Sequence, residues 1–386
     1  MKLNKISYLT EKWELEGVSF EKLNLVVGKN ATGKSRLLNV IKGFAEMIKN
    51  DNLIYNGQWD VTFGLNDKDD FYNFQIYKLP AFQSPHEILN QGKHNKTINL
   101  LSRDDNGAKI YSEISNAFVS INPPNDKLTL HTRRDTKDYP YFEDLVEWAE
   151  GVHFFNFGNI HSYSFIENNA KPTRLTSVDD IGELIKDLDE NTRLKIRDEF
   201  NSLGYNIESF DIDKVSANSD KYELFVTEKN IRNNINQRYM SQGMFRAFYL
   251  VVFINFLLVK HIPSTIIIDD LGEGLDYERS TRMGDWLFSK LEQTSIQLIA
   301  TSNDYFMMDS IDLKYWNLLK RNKGKIISIN QRTNPEQFEN FKFLGLSNFD
   351  FFSSDFLLKN KLQLRFAPLH EMTEHIYLQK NNRNLA

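Results

Sequence analysis

Residues 28–35 read Gly-Lys-Asn-Ala-Thr-Gly-Lys-Ser and match the pattern G-x-x-x-x-G-K-[ST]. Its glycines let the backbone wrap closely around phosphate oxygens, so that backbone N–H groups point at the anion. In this pattern Lys34 reaches the β- and γ-phosphates, and the Ser35 hydroxyl binds Mg²⁺. We therefore expect a loop that binds ATP and Mg²⁺. The residues expected to contribute are Gly28, Asn30, Ala31, Thr32, Gly33, Lys34, Ser35 and Arg36. A glycine turn without a ligand is the alternative.

A second chemical signal is an apolar strand that ends in two carboxylates, with Ile266-Ile267-Ile268 leading into Asp269 and Asp270. Mg²⁺-dependent phosphoryl transfer needs such a pair, because one acid holds the metal's water shell and the other orients or deprotonates the attacking water. We expect Asp269 to be a metal ligand, and Asp270 to be catalytic together with Lys34. A core strand that simply meets a turn is the alternative.

The elements that must position these residues can be predicted from hydrophobic periodicity. Residues 23–27 form an apolar strand before the loop, and apolar residues at three- and four-residue spacings after it predict an amphipathic helix. The C-terminal half alternates helices at about 242–259 and 278–292 with strands at 265–268 and 297–300. The loop and the acidic pair each follow a strand, so we expect those two strands to be neighbours in one central sheet.

The remaining chain predicts the domain organisation. Short polar–apolar alternations over residues 58–115 favour an antiparallel β layer, and the run 152–157 suits a buried core strand. The expected divisions are an N-terminal part of the domain that carries the loop (1–115), an inserted lid or helical region (116–225), a C-terminal part of that domain (226–330), and a partner-binding or core-completing segment (331–386).

The sequence after the acidic pair resembles the ABC-type ATPases, including their SMC-like and OLD-like branches. Gly274-Leu275-Asp276 resembles the D-loop of that group, and Asn30 fits its G-x-N-x-x-G-K-S form. Ser241-Gln242-Gly243, at the start of an apolar helix, is similar to the signature that binds the γ-phosphate held by the opposite subunit. The resemblance implies an ABC-type ATPase head of α/β class: a mixed core sheet with the P-loop, an antiparallel β layer and an inserted helical lid. It also implies that Ser241, Gly243 and Asp276 bind nucleotide.

Two departures from this resemblance affect the expected chemistry. Asn303 stands where ABC relatives usually have a histidine, and it can hydrogen-bond a γ-phosphate but cannot carry a proton. Many relatives also have Glu where this chain has Asp270. We therefore expect Asn303 to take part in a slow, switch-like hydrolysis, with a plain turn residue as the alternative. The Q-loop stays open between Asn156 and Gln83.

Composition excludes several classes of site. The chain has 386 residues, a net charge of −5 and no cysteine, so disulfides, thiolate metal sites and cysteine nucleophiles are excluded. The mild negative charge gives no overall reason to bind nucleic acid or an anionic membrane, although a local basic face could still contact nucleic acid. The N-terminus lacks an apolar run like a signal peptide, and we expect a cytoplasmic protein that does not enter the membrane.

The resemblance implies a switch in which two heads, in a homodimer or a higher homo-oligomer, sandwich two ATP molecules and reopen on hydrolysis. Three outputs compete. The first is an OLD-like ATPase of prokaryotic defence that controls a separately encoded effector, such as a nuclease. The second is a RecF-like repair ATPase that binds DNA ends or gaps, and the mild negative charge counts against it. The third, a transporter subunit, fits poorly with the uncertain Q-loop and the large middle insertion.

Overall fold

A computed structural model describes residues 1–65, 70–93, 96–160, 181–214, 222–229, 234–342 and 347–353. In this part of the chain, fourteen strands form one sheet and three more form a small second sheet. The strands are β1 (Lys2–Leu9), β2 (Glu14–Ser19), β3 (Leu23–Val27), β4 (Gly57–Gly64), β5 (Phe71–Lys78), β6 (His86–Lys93), β7 (Lys96–Asp104), β8 (Gly107–Ser112), β9 (Ala117–Ile121), β10 (Val152–Asn156), β11 (Ile207–Lys214), β12 (Tyr222–Glu228), β13 (Ile235–Asn236), β14 (Thr265–Asp269), β15 (Gln297–Thr301), β16 (Trp316–Asn322) and β17 (Lys325–Asn330). The helices are α1 (Lys34–Lys49), α2 (Pro140–Glu150), α3 (Ile181–Lys186), α4 (Glu190–Ser202), α5 (Gln242–Val259), α6 (Tyr277–Glu292), α7 (Tyr305–Ser310), α8 (Pro335–Lys342) and α9 (Asn348–Ser353).

The core of the large sheet is parallel and carries both chemical motifs at the same edge. Its strands follow the order β10-β14-β15-β3-β16, and each neighbouring pair runs parallel. The expected direct pairing of the loop strand with the acidic strand is wrong, because β15 lies between β3 and β14. A parallel pair needs a long crossover, and α6 supplies one that brings β15 back beside β14. The carboxyl ends of β3, β14 and β15 still meet at one edge of the sheet.

The three strands that position the motifs are buried along their whole length. Alternate residues face opposite sides: Ile267 packs into the cluster that contains α1 and α2, whereas Ile266 and Ile268 pack into the cluster that contains α5. Helices on both faces explain why these strands are continuous apolar runs instead of alternating ones. The predicted mixed α/β fold with a P-loop strand in its core sheet is confirmed.

An antiparallel layer extends the sheet beyond β17, as predicted. Strands β4 to β9 pair antiparallel in sequence order, and β1 joins them to β2. The predicted turn at residues 104–107 closes the hairpin between β7 and β8, where Gly107 has a φ of 126°. The turn predicted at residues 66–67 lies outside the described residues.

The region expected as an insertion, residues 116–225, includes parts of the head. Strand β9 completes the antiparallel layer, and β10 pairs in parallel with β14 at the edge of the core sheet. Beyond β10, helices α3 and α4 and the sheet β11–β12–β13 pack together over α5. The lid is thus part helix and part sheet where it is described. Its separation as a domain stays a prediction.

Two further expectations concern apolar segments. Helix α5 is the one helix of the described chain with the length and composition to cross a membrane, and 78% of it is buried inside the protein. In the segment 331–386, Phe338, Phe341 and Phe351 lie in the core cluster around α5 and α6. The rest of that segment, from residue 354, lies outside the described residues.

Candidate functional site

The loop between β3 and α1 has the backbone shape that a phosphate cradle requires. Ala31 and Gly33 both adopt positive φ, 64° and 111°, and Gly33 is the N-cap of α1. A methyl group built on Gly28 would lie 2.5 Å from the Thr32 hydroxyl oxygen and 3.1 Å from the Leu319 carbonyl oxygen. The loop therefore has no room for a side chain at Gly28, and Gly33 provides a conformation that other residues rarely adopt.

Hydrogen bonds within the loop hold this shape. The Thr32 hydroxyl donates to the Lys29 carbonyl oxygen at 2.8 Å, and Lys34 Nζ donates to the Gly28 carbonyl oxygen at 2.7 Å. The first turn of α1 contains no acidic residue, and among the described residues no side chain caps its start. Its N–H groups and the positive end of the helix dipole are thus available to an anion. This arrangement fits nucleotide phosphates.

The acidic pair is fixed by a threonine on the neighbouring strand. The Thr301 hydroxyl donates to Asp269 Oδ1 at 2.7 Å and accepts from the backbone N–H of Asp270 at 2.8 Å. Asp269 is 6% exposed and Thr301 is fully buried. Asp270 has a φ of 56°, a left-handed conformation that turns the chain out of β14. One hydroxyl therefore sets the positions of both acids.

Asn303 forms a hydrogen bond with Asp270, the second acid of this pair. Its Nδ2 donates to Asp270 Oδ1 at 2.8 Å, and both residues stand just beyond the ends of their strands. The side chain of Asn303 is exposed, whereas that of Asp270 is half-buried. Asn303 thus contacts Asp270, which the sequence analysis did not anticipate, and its predicted contact with a phosphate stays a prediction.

Electrostatics join the loop lysine to the acidic pair. Burial raises the pKa of Asp270, the charges of Asp269 and Glu273 raise it further, and Lys34 opposes them. Burial lowers the pKa of Lys34, and the charges of Asp270 and Asp269 oppose that shift. Because each group acts on the other, the structure brings Lys34, Asp269 and Asp270 into one cluster. In such a cluster the lysine can neutralise phosphate charge, and a carboxylate can accept a proton.

The signature and D-loop residues form a second group. The Ser241 hydroxyl caps α5 by accepting from the Met244 N–H at 3.2 Å, and Ser241 is exposed. A methyl group built on Gly243 would lie 2.6 Å from the Gly274 carbonyl oxygen, so the two loops are in close contact. Asp276 caps α6 and pairs with Arg279. The nucleotide contacts predicted for Ser241, Gly243 and Asp276 stay predictions.

The remaining predicted residues are those of the loop and the two candidates for the Q-loop. Asn30 and Ser35 are exposed in the loop, and the Arg36 guanidinium lies 5.4 Å from the centre of the Trp13 ring. Of the two Q-loop candidates, Asn156 pairs in register with Asp269 at the end of β10. Gln83 is exposed in the connection between β5 and β6, within the antiparallel layer. The sheet therefore favours Asn156.

Sequence reasoning missed two residues that hold the site together. Thr301 is the link between the acids, and a threonine at the end of a buried strand gives only a weak signal. Arg246 is the single charged residue of α5, and its guanidinium lies against the D-loop. A lone cation in an apolar helix was the available signal, because buried charges are rare unless they are paired or hydrogen-bonded.

The chemistry of this donor set fits ATP and Mg²⁺. The loop offers backbone N–H groups and a buried cation, and Asp269 offers carboxylate oxygen of the kind that Mg²⁺ prefers. Ser35 at the start of α1 adds a hydroxyl oxygen. Lys34, Ser35 and Asp269 are the residues that would hold the phosphates and the metal.

Comparisons with known proteins concern the fold. No protein-family model matches the chain, and no curated protein sequence matches it significantly. Among solved structures, an SMC head bound to the C-winged helix domain of ScpA is 14% identical with a TM-score of 0.49, covering 86% of this chain and 98% of that one. An SMC head from Thermotoga maritima is 12% identical with a TM-score of 0.43, covering 86% and 99%. An SMC head with an extended coiled coil, bound to the C-terminal domain of ScpA from Pyrococcus furiosus, is 11% identical with a TM-score of 0.48, covering 88% and 99%.

These neighbours are all SMC heads. At such low identities and TM-scores, the likeness transfers no activity, ligand or partner to this chain.

Proposed function

We propose that this protein is an ABC-type ATP hydrolase that works as an ATP-driven dimerising switch. The observation that carries the proposal is the cluster of Lys34, Asp269 and Asp270 at one edge of the core sheet. A loop shaped to bind phosphate, beside two carboxylates, supports phosphoryl transfer to water. Such catalysis depends on positioning the reacting groups and on neutralising phosphate charge.

Each residue of the cluster has a defined part in the proposed reaction. Lys34 and the N–H groups at the start of α1 bind the phosphates, while Ser35 and Asp269 hold Mg²⁺. When bound, Mg²⁺ supplies positive charge against the phosphate oxygens. Asp270 orients a water molecule and accepts its proton, and burial favours that role by raising its pKa. Asn303 keeps the Asp270 carboxylate in place but cannot itself transfer a proton, which supports slow turnover.

Dimerisation is proposed from the residues that remain outside this cluster. Ser241 is exposed at the N-terminus of α5, where the helix dipole favours a bound anion. Asp276 is likewise exposed in the neighbouring D-loop. Both residues fit a surface that meets the nucleotide of a second head, as the signature does in ABC-type ATPases. ATP would then stabilise the closed homodimer, and hydrolysis would reopen it.

The biological output that we favour is control of a separate effector protein in a prokaryotic defence system. The support is the resemblance of the signature, the acidic pair and the D-loop to OLD-like ATPases. A DNA-repair role of the RecF type predicts stimulation by DNA, and the net charge of −5 gives no electrostatic support for it.

The first test is ATP turnover by the purified protein with Mg²⁺, with and without duplex DNA that has free ends. We expect slow turnover that DNA does not change and that Lys34→Met abolishes. Stimulation of several-fold by DNA would favour the repair-type function or a sensor triggered by DNA. If the protein neither binds nor hydrolyses ATP, the proposal is refuted.

A further inference from the structure

Arg246 is a buried cation that joins three separate segments of the head. It lies on the second turn of α5, three residues after Gly243 of the signature, and is 8% exposed. Nη1 donates to the Glu273 carbonyl oxygen at 2.9 Å, and Nε donates to the Ile160 carbonyl oxygen at 3.0 Å. Nη2 donates to the Gly158 carbonyl oxygen. One guanidinium therefore holds both the D-loop and the loop after β10 against the signature helix.

The backbones around Arg246 are too close for side chains. Gly274 has a φ of 81°, and a methyl group on it would lie 2.7 Å from Arg246 Nη1. Gly243, in the signature itself, packs against the carbonyl oxygen of that same Gly274. A methyl group on Gly158 would meet the Glu273 carboxylate. The signature, the D-loop and the loop after β10 thus touch one another, and Arg246 lies at their junction.

The shape of the guanidinium is what this junction uses. Arginine presents several N–H donors in a rigid planar fork, whereas lysine presents one compact ammonium on a flexible stem. The three acceptors are backbone carbonyls from two loops, and those of Glu273 and Ile160 lie at the distances of normal hydrogen bonds. A lysine at this position would keep the charge, but its single nitrogen could not reach all three oxygens in the same geometry.

We infer that Arg246 is a positioning residue that locks the D-loop and the loop after β10 onto the signature helix. The two surfaces that a head would offer to its partner's nucleotide, Ser241 and Asp276, then move as one body. The functional part of this inference rests on the proposed ATP-driven dimerisation. The structural part, the locking of the D-loop, stands on the hydrogen bonds alone.

Amide hydrogen exchange of the full-length protein without nucleotide tests the structural part. Just before the D-loop the Glu273 N–H donates to the Asp270 carbonyl oxygen, and within it the Leu275 N–H donates to the Gly272 carbonyl oxygen. In Arg246→Met we expect these amides to exchange at least about tenfold faster, since losing one hydrogen bond to a charged group is worth about that factor. Amides of α1 and of the antiparallel layer should exchange as in the wild type.

Two variants keep this test decisive. Arg332→Met is the matched control, because Arg332 is exposed and makes one surface pair with Glu21; its D-loop amides should exchange normally. Arg246→Lys retains the buried charge, and we expect it to resemble Arg246→Met. Wild-type exchange in Arg246→Met, or in Arg246→Lys should the methionine variant fail to fold, would overturn the inference.

The functional part is read from ATP binding and assembly. Arg246→Lys should bind a fluorescent ATP analogue within about twofold of the wild type, while its ATP-dependent dimer weakens by about tenfold or more. If the wild type neither dimerises nor hydrolyses ATP, the proposed function fails while the exchange result still decides the role of Arg246. If the wild type dimerises with ATP and Arg246→Lys does so equally well, the coupling by Arg246 is refuted.

Discussion

Replacing Thr301 with valine tests whether one hydroxyl organises the acidic pair. The change keeps nearly the same volume at a fully buried position and removes two hydrogen bonds, to Asp269 Oδ1 and from the Asp270 N–H. A hydrogen bond to a charged group is worth about 1.5–3 kcal/mol, and a buried N–H left without a partner costs about 1–3 kcal/mol. Both effects share one side chain and are not additive, so we expect the free energy of unfolding to fall by about 3 kcal/mol.

Thr265→Val is a closely matched control on the adjacent strand. Thr265 is also buried in the core sheet, but its hydroxyl makes one bond of 3.4 Å to the neutral side chain of Gln297. We expect this control to lose less than about 1 kcal/mol. Urea unfolding of both variants measures the difference as a shift in the midpoint at unchanged slope.

The same pair of variants separates a structural effect from a functional one. Thr301→Val should lower ATP turnover by about tenfold or more, because a displacement of Asp269 and Asp270 worth about 1.4 kcal/mol in the barrier has that effect. Thr265→Val should hydrolyse ATP like the wild type. If Thr301→Val is as stable and as active as Thr265→Val, the hydroxyl does not position the acids and the reasoning fails.

Three further predictions concern the proposed reaction. Lys34→Met should weaken ATP binding at least about tenfold in equilibrium titration, because the buried cation beside the phosphates is lost; unchanged affinity would place the phosphates elsewhere. Asp270→Asn should bind ATP normally without turnover. Burial and the charges of Asp269 and Glu273 raise the pKa of Asp270 in the folded protein. The ionised Asp270 carboxylate therefore destabilises the fold at a pH above this folded-state pKa, and it has no such effect at a pH below the pKa of the unfolded chain. The melting temperature of Asp270→Asn should therefore exceed that of the wild type at pH 7.5. This difference should shrink as the pH falls through the folded-state pKa of Asp270. Ser241→Arg should abolish ATP-driven dimerisation, measured by light scattering, while one head still binds ATP; a normal dimer would refute the composite site.

Local patterns in the sequence predicted the parts of the site that depend on neighbours in the chain. The loop was predicted because its glycines, lysine and serine stand within eight consecutive positions, between a strand and a helix that local periodicity also reveals. The acidic pair was predicted for the same reason, since an isoleucine run shows where β14 ends. Such signals need no knowledge of which strand lies beside which.

The contacts that organise those parts depend on strand order, which the sequence does not state locally. Thr301 and Asp269 are 32 residues apart and meet only because β15 pairs with β14 in parallel register. The sequence analysis expected β3 beside β14, and under that order Thr301 would have had no reason to contact the acids. The mistaken strand order and the missed threonine therefore have one cause.

The proposed active site has two halves, which differ in whether a single chain brings their residues together. A single chain completes the half that contains Lys34, Asp269 and Asp270, because one sheet edge gathers them. Ser241 and Asp276 are exposed, although the backbone of the neighbouring Gly243 and Gly274 is closely packed. Exposed polar groups on closely packed loops are what the proposed second head would contact. We propose that the dependence on a partner follows from this division, since the fold brings Lys34, Asp269 and Asp270 together and leaves Ser241 and Asp276 exposed.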